Sequence, residues 1–234
     1  MPQADLVLLH APSVYDFRKE SILYGPVSDL VPSTPVFEMY PIGLTTIAEY
    51  LERQGFKVRI VNLAVRMLNS DRFDAEKLIR ELRPVAFGID LHWMPHAHGA
   101  IEVARLCKKH HPDIPVMFGG FSSTYYHREL LGRPEVDFVV RGDSTEEPVL
   151  QLMQYLAGRP AAPRLAEIPN LTWQEPDGTI HVNELAYSPA DLDHLLIDYS
   201  YVVKAVARYR DLSSFVPFKG WLGYPITAAL SVRG

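Results

Sequence analysis

The sequence predicts an α/β fold, a doubly wound five-stranded parallel sheet followed by an antiparallel β-hairpin and a linker helix. Three observations carry that prediction. Short β-branched runs alternate with amphipathic helical runs from Asp5 to about Gly158. A parallel crossover is long, holds a helix and is right-handed, so five such repeats make one sheet with helices on both faces. At 168–184 the pattern changes to two β-like runs flanking Pro176-Asp177-Gly178, which reads as a hairpin that extends or caps the sheet edge. Finally, 47% apolar residues in a chain of 234 allow a real core.

The elements follow in order. DLVLLH (5–10) reads as a buried strand. PIGLTTIAEYLERQG (41–55) is a helix, with Pro41 near its first turn and Gly55 as its stop. FKVRIVNL (56–63) is a strand and FDAEKLIREL (73–82) a helix. PVAFGID (84–90) is a strand, AHGAIEVARLCKKH (97–110) a helix, and IPVMFGG (114–120) a strand. A weaker helix lies within 123–131, then strand VDFVVRG (136–142) and helix STEEPVLQLMQYLAG (144–158). After the hairpin, 189–210 is helical, and ITAALSVRG at the end of the chain is strand-like. The arrangement is flavodoxin-like or Rossmann-like, so a ligand is expected beyond the carboxyl ends of the strands. The segments after His10, Asn62, Asp90, Gly119 and Arg141 then share one rim.

Composition narrows the function. A net charge of −5 provides no basic footprint for nucleic acid or an anionic membrane, and no run approaches the ~18 apolar residues of a span. The one cysteine, Cys107, rules out a disulfide framework or a multi-thiolate cluster within these residues, and fits a cytoplasmic setting. The connection 11–40 is far longer than the ~12–15 residues usual in a compact domain. Its aromatics Tyr15, Phe17, Tyr24, Phe37 and Tyr40 leave two readings, a lid over the strand ends or an irregular surface excursion.

Several segments together resemble the cobalamin-binding domain that precedes the barrel of cobalamin-dependent radical S-adenosylmethionine (SAM) enzymes. They are YPIGLTTIAEYLERQGFKVRIVN (40–62), RPVAFGIDLHW (83–93) and the run from Leu106 to Met153, with IPNLTWQEPDGTIHVN (168–183) resembling the hairpin that follows there. The resemblance implies a cobalamin-binding domain over 1–190, with core 1–158 and hairpin 168–184. It further implies that 191–234 is a linker and first strand leading to a radical SAM barrel absent from this chain. ALSVRG stops one residue before the cysteine that opens the family's [4Fe–4S] loop, so the chain is expected to be part of a longer enzyme, a methyltransferase by the family's common chemistry.

On that reading the cofactor contacts lie on the rim. They are Pro12 and Ser13 after the first strand, Asn62 after the second, and Asp90, Leu91, His92 and Trp93 after the third. Gly119 and Gly120 let a backbone come close to the nucleotide tail. Phe121, Ser122, Ser123 and Thr124 follow, the last three supplying hydroxyls and helix amides for phosphate or ribose oxygens. After the fifth strand come Arg141, Gly142 and Asp143. There the family commonly has Gly-Glu-Gly-Glu and this chain has Gly142-Asp143-Ser144-Thr145-Glu146, in which Asp143 or Ser144 is also a plausible helix cap.

The stretch GIDLHWMPHAH (88–98) keeps rival readings open. Asp90, His92 and His96 could gather a Zn²⁺ or Fe²⁺ for a metal-dependent hydrolase, with His98 expected on a solvated helix face. A receiver-type phosphoacceptor would place its Asp where Asp90 lies but needs an acidic pair after the first strand and a Lys after the fifth, where this chain has His10-Ala11-Pro12-Ser13 and Arg141-Gly142-Asp143. The Asp-x-His-x-x-Gly cobalt-ligand pattern fails, because it belongs after the first strand and Pro95 stands in its Gly position. His92 remains the candidate cobalt ligand if any side chain coordinates the metal. A non-catalytic α/β interaction module is the third class.

Overall fold

The structure, a computed structural model, describes residues 2–19, 42–189, 200–216 and 220–223. Among them seven strands form one sheet in the order β2-β1-β3-β4-β5-β6-β7. β1 (Leu6–His10), β2 (Val58–Asn62), β3 (Ala86–Asp90), β4 (Val116–Gly119) and β5 (Phe138–Val140) are parallel; β6 (Leu171–Gln174) and β7 (Ile180–Val182) are antiparallel. The hairpin therefore continues the sheet beyond β5, with Val140 opposite Leu171 and Phe138 opposite Trp173.

The sheet is sandwiched by α1 (Ile42–Arg53), α2 (Leu63–Asn69), α3 (Ala75–Glu81), α4 (Ala97–His110), α5 (Phe121–Tyr125), α6 (His127–Leu131) and α7 (Glu146–Leu156). Every residue of β1 and β2 is buried, as strands covered on both faces must be. Leu6, Leu9, Val58, Phe87, Val116 and Phe118 fill the centre, and Cys107 lies among them with its thiol pushed up by burial.

β2 is an edge strand, yet it is closed by the chain's own tail. α8 (Ser200–Tyr209) lies along it, and the Tyr201 hydroxyl donates to the Val58 carbonyl at 3.2 Å. Beyond α8 the Asp211 carboxylate accepts from Arg59, Arg66, Ser213 and Ser214. Covering an edge in this way removes a template for unwanted pairing.

The predicted elements differ from the structure in two places. The strand expected to include Leu63 ends at Asn62, whose side chain accepts from the Val65 N–H at 2.9 Å and starts α2, a helix the apolar run LAVRMLN concealed. The helix expected within 123–131 is two short helices broken at Tyr126. Within the helical run 189–210, α8 begins at Ser200, and residues 190–199 lie outside the described residues. Most of the long connection (20–41) and the strand-like end 224–234 also lie outside them.

Candidate functional site

The sheet register sets Asp90 beside Gly119 and Leu9 beside Ile89, so the loops after β1, β3, β4 and β5 meet at one level. At the β1–β3 end His10 Nδ1 lies 3.0 and 2.9 Å from the two Asp90 carboxylate oxygens, and the His10 ring packs 5.4 Å from that of buried His96. α4 seats directly on the β1 loop. A Cβ on Gly99 would stand 1.7 Å from the Pro12 carbonyl oxygen, and Gly99 N–H donates to the Ser13 carbonyl at 3.2 Å. Pro12 and Ser13 thus hold α4. His98, expected in solvent, is half-buried and accepts from the Tyr15 N–H at 3.4 Å, because the β1 loop folds back over the helix start.

The β3 and β4 loops are stitched together. Leu91 N–H donates to the Gly119 carbonyl, Ser122 N–H to that of His92, and Ser123 N–H to that of Leu91. Gly120 has φ +105°, and a Cβ there would fall 2.8 Å from the His92 nitrogen. At Gly119 the nearest atom is 3.8 Å away, so the close approach belongs to Gly120 and is made to this chain's own backbone. The hydroxyls assigned by sequence to a ligand point elsewhere: Ser122 to the His92 carbonyl, Ser123 to Gly119 and Thr124 to Gly120. Ser123 is fully buried. The cause is the start of a five-residue helix: the β3 loop accepts the Ser122 and Ser123 N–H groups and the Ser122 hydroxyl, while the Ser123 and Thr124 hydroxyls turn back to the carbonyls four residues earlier.

Above this stitched base lies an apolar shelf. Trp93, Met94 and Phe121 are each more than half exposed, and His92 packs 4.7 Å from Phe121 and 6.2 Å from Trp93. Burial pushes the His92 imidazole below its ordinary pKa, against the opposing pull of Asp90 and Asp143, so its ring is neutral at pH 7. Asp90 and His96 turn in toward His10, whereas His92 turns toward Phe121. Among the described residues no group of three His, Cys, Asp or Glu side chains could hold a metal ion, which removes the support for a hydrolase built on Asp90, His92 and His96. Asn62 is likewise drawn inward as the α2 cap and is fully buried.

At the end of β5, Arg141 N–H donates to the Asn170 carbonyl at 2.8 Å and its Nη2 donates to the Asn183 carbonyl, while its buried Nε has no acceptor among the described residues. Asn170 Oδ1 accepts from the Tyr187 N–H at 3.0 Å, and its buried Nδ2 also has no acceptor. Gly142, at φ +105°, runs between them and donates to Thr124 Oγ1 at 2.9 Å. Burial and the neighbouring Arg128 hold Arg141 below its ordinary pKa. Neither Asp143 nor Ser144 caps α7. Thr145 occupies the cap position, and the fully buried Glu146 carboxylate accepts the Thr145 N–H at 3.1 Å and the Thr46 hydroxyl at 2.8 Å, tying α7 to α1.

Sequence reasoning missed the His10–Asp90 pair. A signal existed, because strand order 2-1-3 sets the last residues of the first and third strands side by side.

A family model described as B12 binding domain matches residues 29–150, more than half of the chain. The chain is 25% identical over 186 residues to cytidylyl-2-hydroxyethylphosphonate methyltransferase of Streptomyces wedmorensis, covering 70% of this chain and 34% of that protein. It is 29% identical over 149 residues to hopanoid C-3 methylase of Methylococcus capsulatus, covering 61% and 27%. It therefore spans about a third or less of the length of these curated relatives. In structure it is similar to the radical S-adenosylmethionine methyltransferase TsrM of Kitasatospora setae, with a TM-score of 0.55 at 20% identity over 79% of this chain and 31% of that one. It is also similar to the cobalamin-dependent S-adenosylmethionine radical enzyme OxsB, with a TM-score of 0.59 at 14% identity over 89% and 26%. At such identities these two likenesses speak for the fold alone. No helix among the described residues is long and apolar enough to cross a membrane. Its doubly wound fold and the match over residues 29–150 together mean that the chain belongs to the B12 binding domain family.

Proposed function

We propose that the chain binds cobalamin across the carboxyl ends of β3, β4 and β5, as the N-terminal domain of a longer cobalamin-dependent radical SAM methyltransferase. The observation that carries this reading is the exposed apolar shelf of Trp93, Met94 and Phe121 over a rigid loop pair, in a chain of the B12 binding domain family. A corrin is a broad ring with apolar faces, and exposed aromatics clustered over a fixed base suit such a ligand better than solvent.

The residues present fit the group. The shelf offers a face for the ring, and the orphaned Arg141 and Asn170 donors at the end of β5 offer hydrogen bonds that nothing in the described chain accepts. When bound, cobalamin supplies a cobalt centre able to carry a methyl group. The chain's own part is to hold the ring, orient it and exclude water from one face. Leu91, Gly119 and Gly120 fix the base, and His92 and Trp93 meet the ring. Asp143 bounds the pocket, and Pro12, Ser13, Asn62, Asp90, Ser122 and Ser123 act from beneath as positioning residues. His92, neutral at pH 7, is the candidate side-chain ligand to cobalt.

In the full-length enzyme a C-terminal radical SAM domain would hold the [4Fe–4S] cluster and S-adenosylmethionine. Residues 1–190 form the cobalamin domain in this reading and 191–234 lead to that partner. The large share of each curated relative left unmatched supports a missing catalytic part.

The test is direct. The protein is mixed with hydroxocobalamin, desalted and its visible spectrum recorded. Retained corrin absorbance is expected, and none at micromolar protein would sink the proposal. An unchanged spectrum of bound cobalamin in His92→Ala would remove His92 as the cobalt ligand while leaving the binding intact.

A further inference from the structure

Two buried donors at the end of β5 face no acceptor, and both sit beside a glycine. Arg141 is 8% exposed and Asn170 is 1% exposed, so solvent does little for either. Arg141 Nε and Asn170 Nδ2 have no hydrogen-bond partner among the described residues, and Asn170 Nδ2 would lie 3.1 Å from a Cβ on Gly142. Arg141 Nη2 donates to the Asn183 carbonyl, and Asn170 Oδ1 accepts from the Tyr187 N–H. The local charge is one-sided. Arg141 forms no ion pair with any described carboxylate, and the charged side chain that bears on it is Arg128. The half-buried His127 ring, 3.1 Å from Thr172 Oγ1, is held below its ordinary pKa by burial and by these two arginines, which favours its neutral form, and a neutral ring is no counter-ion to Arg141.

A buried guanidinium without a counter-ion is costly, as is a buried amide N–H without an acceptor. Sequences retain such groups where a ligand completes them. Arginine presents a planar fork suited to phosphate oxygens. The place also matters. Val139 of β5 sits opposite Phe118 of β4, which brings Arg141 level with Gly120 at the edge of the proposed corrin shelf.

We propose that Arg141 and Asn170 form an anion seat that takes the phosphodiester of the cobalamin nucleotide tail. This rests on the cobalamin reading and adds to it the residues that discriminate complete corrinoids from truncated ones. The phosphodiester is the tail's anionic group. Cobinamide keeps the corrin ring and its amides but lacks the nucleotide and that phosphodiester.

The experiment measures equilibrium binding of cobalamin and of cobinamide to the full 234-residue chain, its Arg141→Gln variant and its Asn170→Asp variant, with thermal melts as a folding control. Asn170→Asp keeps the size of the side chain and the acceptor used by Tyr187 but replaces the free donor with negative charge. The wild type is expected to favour cobalamin. Each variant should lose on the order of tenfold to a hundredfold in cobalamin affinity, the range of a hydrogen bond to a charged group, with cobinamide affinity unchanged. Should one variant fail to fold, the other decides. Equal losses for both corrinoids, or no loss for either, overturn the seat. A wild-type chain that holds cobinamide as tightly as cobalamin overturns it too and leaves the corrin reading standing. A chain that holds neither corrinoid overturns the cobalamin reading itself and the seat with it.

Discussion

At the carboxyl ends of β1 and β3 the polar groups turn inward and answer one another, whereas at the end of β5 two buried donors have no acceptor among the described residues. His10 meets both oxygens of Asp90, His96 packs on His10, and the β1 loop is held on Gly99. Arg141 and Asn170 keep one buried donor each without an acceptor, and Phe121 on the adjoining loop is 52% exposed. Both regions belong to one rim of one sheet. The difference teaches that half of the rim is scaffold, closed on itself, while the other half keeps exposed aromatics and two buried donors without an acceptor among the described residues. Site residues in this fold are therefore better sought where satisfaction of polar groups breaks off than where polar letters are densest.

The largest effect that could break this contrast is at Gly99. An added methyl would collide with the Pro12 carbonyl, a backbone atom that cannot swing aside, so Gly99→Ala should cost about 3 kcal/mol or more of folding stability. Chemical denaturation measures it, and a variant as stable as the wild type would mean that the closed half is loosely packed.

Next come paired substitutions across the two halves. Asp90→Ala removes the carboxylate that meets His10 Nδ1 in a nearly buried place and should cost about 2 kcal/mol. Arg141→Met removes a buried cation that has no counter-ion, and should stay within about 1 kcal/mol of the wild type. Equal losses in the two variants, read from urea midpoints, would erase the distinction. Phe121→Ala sharpens it from the ligand side. More than half of that ring is already in water, so stability should fall by less than about 1 kcal/mol while retained cobalamin after desalting drops clearly.

Much of the architecture was legible in the sequence because it rests on periodicity. The runs at 5–10, 84–90 and 114–120 read as strands, and the Pro176-Asp177-Gly178 turn announced the hairpin. The missing α2 was hidden because LAVRMLN continues the apolar character of β2. Only the cap made by Asn62, a tertiary detail, ends one element and begins the next. The rim that carries the candidate site was legible by level. His92, Trp93, Gly120, Phe121 and Arg141 do gather at one rim, since strand order and register decide that. Whether a serine hydroxyl faces a ligand or a carbonyl depends on how two loops pack, and sequence spacing carries no record of that for Ser122 and Ser123.

The smallest expected effect concerns pH at the shelf. Burial lowers the folded pKa of His92 below its ordinary 6.5, so between pH 7 and 8 the ring is neutral in both folded and unfolded chains and contributes no pH dependence. As pH falls through 6.5 the unfolded chain takes up the proton first. Stability is therefore full above 6.5 and is lost progressively as pH drops through the folded pKa. His127 acts with the same sign, because burial and Arg141 lower it too. His92→Gln should accordingly lose less melting temperature between pH 8 and pH 5 than the wild type does. The gap should be small, on the order of 1 °C, since the ring is only half-buried and water screens it. Bound cobalamin should widen that gap if it covers the ring, because a more deeply buried imidazole resists protonation further. An acid loss identical in wild type and variant, with cobalamin bound, would place the His92 ring outside the shelf.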